Sequence, residues 1–156
     1  DLPTHIFRHI FRNFIILIHN FAAIILVWLY FRWTINFGTL MFIPGLLVGL
    51  IFATGLTFSL AMICTRYRDV QQIVISIMQL IFFITPIFWL PSALRPGHGA
   101  LMYNPFYYML EIVRAPLLGQ SASGETWGIA IAIAAVSFAT GAAIYAAYRH
   151  RLTYWL

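Results

Sequence analysis

Long apolar runs, broken by short clusters of arginine, proline and glycine, set the pattern of this chain. Four runs are long enough to cross a hydrocarbon core, which takes about 20 helical residues. They lie near 14–33, 40–63, 70–90 and 126–148. None alternates with period two, which disfavours a membrane β-barrel. Helices satisfy their own backbone polar groups within each segment, so helices are expected. Ahead of the first run, residues 4–13 put Ile6, Ile10 and Phe14 on one helical face and Arg8 and Arg12 on another. That pattern predicts an interfacial helix lying along the membrane surface. The first run is no signal peptide: it is too long and lacks a small-residue cleavage site.

The stretch 91–125 does not span. Pro91 and Pro96-Gly97 break its backbone, and Asn104-Pro105 supplies an N-cap followed by proline in the first helical position. A helix then runs to about Leu118, where Gly119 stops it. It is mostly apolar yet too short to cross, so this stretch is expected to form an outer pair of short re-entrant helices. The expected fold is therefore an all-α integral membrane protein. It has four transmembrane helices, the re-entrant pair and the N-terminal interfacial helix, in one transmembrane domain over 1–156.

Composition fixes the solvent. Hydrophobic residues make up 62% and charged residues 8% of the chain, where a soluble domain carries about 25% charged residues. Nine arginines and no lysine stand against four acids, for a net charge of +5. On a soluble protein that balance would raise nucleic-acid binding. Here the arginines flank apolar runs and report orientation instead, so no nucleic-acid partner is expected. With four alternating spans, Arg8, Arg12, Arg66, Arg68, Arg149 and Arg151 share one side, leaving Arg32, Arg95 and Arg114 opposite. The larger group puts both termini and the loop of Arg66, Arg68 and Asp69 in the cytoplasm. Trp28, Tyr30, Trp33, Trp89 and Trp127 then gather at the outer interface, with Tyr145, Tyr148, Tyr154 and Trp155 near the inner one. Cys64 is alone, which excludes an intrachain disulfide and a cysteine-based metal site. The chain opens on Asp1 rather than Met, as a fragment or a processed product would.

Catalytic chemistry has little to stand on. The sequence has no G-x-x-x-x-G-K-[ST] loop, no G-x-S-x-G and no H-E-x-x-H. His5 and His9 share a helical face without a third ligand nearby, and His98 sits in a Gly-His-Gly turn. Asp69 and Glu111 fall on opposite membrane sides in this topology. His19, about two turns inside the first run, is either a functional intramembrane group or a neutral partner of a neighbouring span. Small residues recur at every fourth position of the second run (Gly45, Gly49, Ala53, Thr57, Ala61) and of the fourth (Ala135, Ala139, Ala143, Ala147). Such stripes predict close helix packing. Gln72, Ser76 and Gln79 share one face of the third run, which must meet a partner helix or line a polar path. Thr85-Pro86 interrupts that run near its outer end.

Taken in order, R-Y-R-D at 66–69, F-F-I-T-P-I-F-W at 82–89, N-P at 104–105, E-I-V-R at 111–114 and Y-W-L at 154–156 form a recognisable set. It resembles the membrane subunits of type-2 ABC exporters for polysaccharides, O-antigen, capsule and teichoic acid. Such subunits have six spans, and this chain matches the last four with the approach to the first of them. The resemblance implies a pore-forming subunit working as a pair with a second copy of itself in the bacterial inner membrane. It also implies a separate cytoplasmic ATPase that binds ATP and Mg, leaving no cofactor and no enzymatic site in this chain. The substrate implied is a glycan on an undecaprenyl diphosphate carrier. Arg8 and Arg12 would lie near the coupling region that rests on the ATPase. Asn104, Pro105, Glu111 and Arg114 would belong to the re-entrant gate. Export of a drug or lipid is the nearest alternative. A membrane-embedded enzyme acting on polyprenyl lipids lacks the clustered acids or histidines it needs, and an ion channel or proton-coupled carrier lacks charges within its spans.

Overall fold

A computed structural model describes residues 2–31, 37–87, 101 and 103–150. All regular elements among them are helical. The chain divides into two compact units, Asp1–Asn36 and Phe37–Leu156. Expectations for Arg32, Trp33, Trp89, Pro91, Arg95, Pro96-Gly97, His98, Arg151, Tyr154 and Trp155 fall outside the described residues, as does the first of the two re-entrant helices.

The first unit is one helix, α1 (Leu2–Phe31). The expected break between an interfacial helix at 4–13 and a span at 14–33 is absent. No glycine occurs in this stretch and its proline, Pro3, lies in the first turn, so nothing interrupts the i to i−4 ladder. Thirty residues extend for about 45 Å, more than the roughly 30 Å of a hydrocarbon core. The polar positions Thr4, His5, Arg8, His9, Arg12 and Asn13 crowd its first half, and the second half is apolar apart from His19 and Asn20.

In the second unit a 3₁₀ turn (Phe37–Met41) leads into α2 (Phe42–Arg66). Tyr67 alone, in an extended conformation, separates α2 from α3 (Arg68–Ile84). Arg66 in the last turn of α2 and Asp69 in the first turn of α3 each complement the helix dipole at their end. After the segment at 85–87 come α4 (Pro105–Leu117) and α5 (Gly124–Tyr148). The Ser123 hydroxyl caps α5 by accepting from the Thr126 amide, and Gly119 closes α4 with φ 72°. A left-handed residue there stops a helix at little cost when it is glycine.

The fold is built on α2 and α5 lying side by side and parallel. Ser137 Oγ donates to the Phe52 carbonyl at 3.1 Å, and about two turns further along both helices the Phe58 and Tyr145 rings meet edge to face at 5.4 Å. Gly55 and Gly141 mark the closest approach, where a Cβ on either would run into the other helix's backbone. The buried positions are Gly45, Phe52, Gly55 and Met62 on α2, and Ala130, Ala134 and Gly141 on α5. Within this chain the expected stripes do not form that contact. Gly45 packs, but a Cβ on Gly49 would meet nothing within 4 Å. Ala53 is exposed, the Thr57 hydroxyl donates to its own helix at the Ala53 carbonyl, and Ala135, Ala139, Ala143 and Ala147 are exposed. Strict spacing by four drifts about 40° per step around a helix of 3.6 residues per turn. Alternating threes and fours, as in 45, 52, 55, 62 and in 130, 134, 137, 141, hold one face.

Because α2 and α5 are parallel, the chain between them must return along the length of α2, and α3 makes that return. Among the described residues, three helices are long and apolar enough to cross a membrane by length and composition: Pro3–Leu26, Gly38–Arg66 and Gly124–Tyr148. The run expected over 70–90 is shorter than that. α3 stops at Ile84 because Pro86 has no N–H to continue the ladder. Its 17 residues cover about 25 Å. None of them is buried.

Candidate functional site

Three of the polar side chains that the sequence singled out, Asn104, Glu111 and Arg114, lie where the end of α3 meets α4. α4 lies across the Gly45 end of α2 and close enough that a Cβ on Gly45 would stand 2.7 Å from the Ile112 carbonyl. Ile112 is fully buried, in a core with Phe52, Tyr108, Met109, Ala130 and Ala134. The Phe52 and Phe106 rings meet edge to face at 5.4 Å. This apolar bed fixes α4 by close packing, through many small dispersion contacts rather than removal from water.

On that bed the segment Thr85–Pro86 is held by both ends of α4. Thr85 is 4% and Asn104 8% exposed, and Pro86 is among the fully buried side chains. Asn104 Nδ2 donates to Thr85 Oγ1 at 2.9 Å, and Asn104 Oδ1 accepts from the Phe106 amide at 3.0 Å. The Thr85 hydroxyl donates in turn to the Ile81 carbonyl at 2.8 Å. Ten residues along α4, Arg114 Nη1 donates to the Pro86 carbonyl at 2.8 Å while Nη2 bonds Glu111 Oε2 at 2.9 Å. The side chains of Arg114 and Glu111 are only 20% and 22% exposed, so water screens the pair partly. Charge-assisted bonds of this kind are about twice as strong as neutral ones.

Tyr107, one turn before Glu111, belongs to the same face. Burial raises its phenol above the ordinary tyrosine value, the Glu111 carboxylate adds to the rise, and Arg114 opposes it. The phenol therefore stays protonated as a neutral donor through the physiological range.

Expected site residues are thus sorted by position. Asn104 caps α4, Pro105 is its first helical residue, and Glu111 and Arg114 pair further along it. What the sequence left open is what they hold: Thr85 and the Pro86 carbonyl, 19 and 28 residues away. The signal for it lies in Thr85-Pro86, because a proline after a helix frees carbonyls that seek donors. Arg66, Arg68 and Asp69 gather instead around Tyr67, at the opposite end of α3, where the Arg66 guanidinium lies 5.2 Å from the Tyr67 ring centre. Gln72, Ser76 and Gln79 are exposed along α3, and Ser76 Oγ donates to the Gln72 carbonyl of its own helix. Arg8 and Arg12 stand in the first half of α1.

Comparison with curated proteins and with solved structures gives no match. The profile of one family, described as the ABC-2 type transporter, matches residues 2–118 and so takes in α1, α2, α3 and α4 with the clasped turn. With three quarters of its length matched, this chain belongs to the ABC-2 type transporter family and is a membrane-embedded transport permease.

Proposed function

We propose that the chain is the pore-forming transmembrane subunit of an ABC exporter that moves a lipid-linked polysaccharide, of O-antigen, capsule or teichoic-acid type, across the bacterial cytoplasmic membrane. Permeases of this family carry no nucleotide-binding site and work with a cytoplasmic ATPase. A second copy of the chain completes the pore. Both termini and the Arg66–Asp69 junction face the cytoplasm, and α4 lies at the outer mouth.

The observation that carries the substrate reading is the ordered motif set, of which Thr-Pro at 85–86 and Asn-Pro at 104–105 bond to each other through Thr85 and Asn104. Motifs far apart in sequence that meet in space support reading the set as one functional unit. The unbroken α1 supports the coupling role of Arg8 and Arg12: a push on the basic first turns travels along one rod into the span. The aromatic content of 17% suits a glycan path, because ring faces pack on sugar C–H faces without reading one sequence of sugars.

The test is reconstitution of the full permease with its partner ATPase in proteoliposomes. ATP-dependent transfer of an undecaprenyl-linked glycan to the trans side, absent without the ATPase, is the expected result. Transport of a drug or plain phospholipid in its place would assign the chain to the other exporter class. ATPase activity in the purified chain alone would overturn the permease reading. For topology, a cysteine at Ser121, with Cys64 replaced, should react with an impermeant thiol reagent added from outside.

A further inference from the structure

We propose that Asn104 couples the end of α3 to the start of α4, so that the two helices dock and undock as one step. The linkage stands on geometry alone; its consequence for transport rests on the permease reading above. Asn104 uses both halves of its amide. The oxygen accepts from the Phe106 amide and caps α4, while the nitrogen donates to the Thr85 hydroxyl. That hydroxyl has a single O–H, which donates to the Ile81 carbonyl in the last turn of α3. The result is a one-directional chain of donors from α4 to α3, in which the amide cannot rotate without losing both of its bonds. Asn104 is 8% and Thr85 4% exposed, so water does not replace a lost partner at low cost. The second tie, from Arg114 to the Pro86 carbonyl, grips the same segment from about 15 Å further along α4. A helix held at both ends does not pivot freely about either one.

α3 buries nothing of its own, whereas α4 is packed into the α2–α5 core. The clasp therefore ties the far end of α3 to α4, as the Tyr67 junction ties its near end to α2. Opening at this mouth is then a joint event of α3 and α4, not a swing of α4 over a fixed α3.

Hydrogen exchange on the full chain in nanodiscs tests this without reference to transport. Thr85→Val removes the hydroxyl from α3, and the expected result is about tenfold faster exchange, twenty residues away, at the Phe106 and Tyr107 amides in the first turn of α4. Thr85→Ser keeps the hydroxyl and should restore parental rates. Asn104→Asp keeps a capping oxygen but, like Thr85→Val, breaks the bond between Asn104 and Thr85, so the Phe106, Thr85 and Ile87 amides should all exchange faster. Unchanged Phe106 and Tyr107 rates in Thr85→Val, or Thr85→Ser behaving like Thr85→Val, would overturn the proposal. If Thr85→Val does not fold, Asn104→Asp decides: unchanged exchange at Thr85 and Ile87 sinks the coupling. Failure here leaves the permease reading untouched, since no transport is measured.

Discussion

α2 and α3 are neighbours joined by one residue, and they behave in opposite ways. α2 buries Gly45, Phe52, Gly55 and Met62 along one face, whereas α3 buries no residue at all. Both are apolar helices, so hydrophobicity does not separate them. Side-chain size does. In a lipid environment two helices gain little from apolarity alone, and association depends on close approach and satisfied polar groups. α2 offers Gly55 to Ser137 and Gly141 of α5 and Gly45 to Ile112 of α4. α3 offers Ile, Val, Met and Phe beside a polar stripe of Gln72, Ser76 and Gln79, and it attaches to the packed core through the clasp at its end.

The largest expected effect breaks the packed side of that comparison. Gly55→Val drives a side chain into the Ser137–Phe138 backbone, which cannot yield as a flexible side chain would. A loss of about 3 kcal/mol is expected. Gly49→Val, on the same helix with open space around it, should shift stability by no more than about 0.5 kcal/mol. Detergent unfolding of the two variants side by side checks this, and equal losses would refute the assigned face.

Next comes the clasp. Arg114→Gln leaves the Glu111 carboxylate and the Pro86 carbonyl without their charged donor. About 2 kcal/mol is expected, below the figure for fully buried pairs because both side chains are partly exposed. Glu111→Gln keeps the bond to Pro86 possible and should cost about 1 kcal/mol. Under the proposed function both variants raise leak or lower export while inserting at parental levels. Parental leak and export in both would make the pair a surface feature without a gating role.

A smaller effect on stability sharpens the α3 side. Gln79 is exposed, so Gln79→Leu should change the unfolding free energy by less than about 0.5 kcal/mol. If the stripe lines a path or meets a second copy, export should still fall several-fold. Loss of stability without loss of export would place a missing contact within the chain instead.

The smallest effect is a pH dependence. The raised phenol of Tyr107 binds its proton more tightly in the folded state than in the unfolded one. Its contribution is therefore fully present below about pH 10 and is lost as pH rises through the higher folded value. Thermal unfolding of Tyr107→Phe should show a flatter alkaline limb than the parent.

Much of this architecture was legible in the residues themselves. Composition dictated lipid as the solvent, apolar run lengths located the helices, and Asn104-Pro105 and Gly119 marked both ends of α4. These are local signals: a cap, a missing N–H and a positive φ act on the backbone within one turn. The continuity of α1 was missed, because its polar first turns read as a separate interfacial helix although nothing between Thr4 and Phe31 breaks the backbone ladder. Which face of α2 packs was not legible, because small residues recur at two spacings and only the partner's curvature and register select one. Nor did the sequence reveal that Asn104 donates to the Thr85 hydroxyl, or that Arg114 reaches the Pro86 carbonyl. Those bonds depend on α4 lying across the start of α2, a placement fixed by the fully buried Ile112 against Gly45. The chain carries the chemistry of each helix end in its local sequence; which ends meet is decided by the packing of helices distant in that sequence.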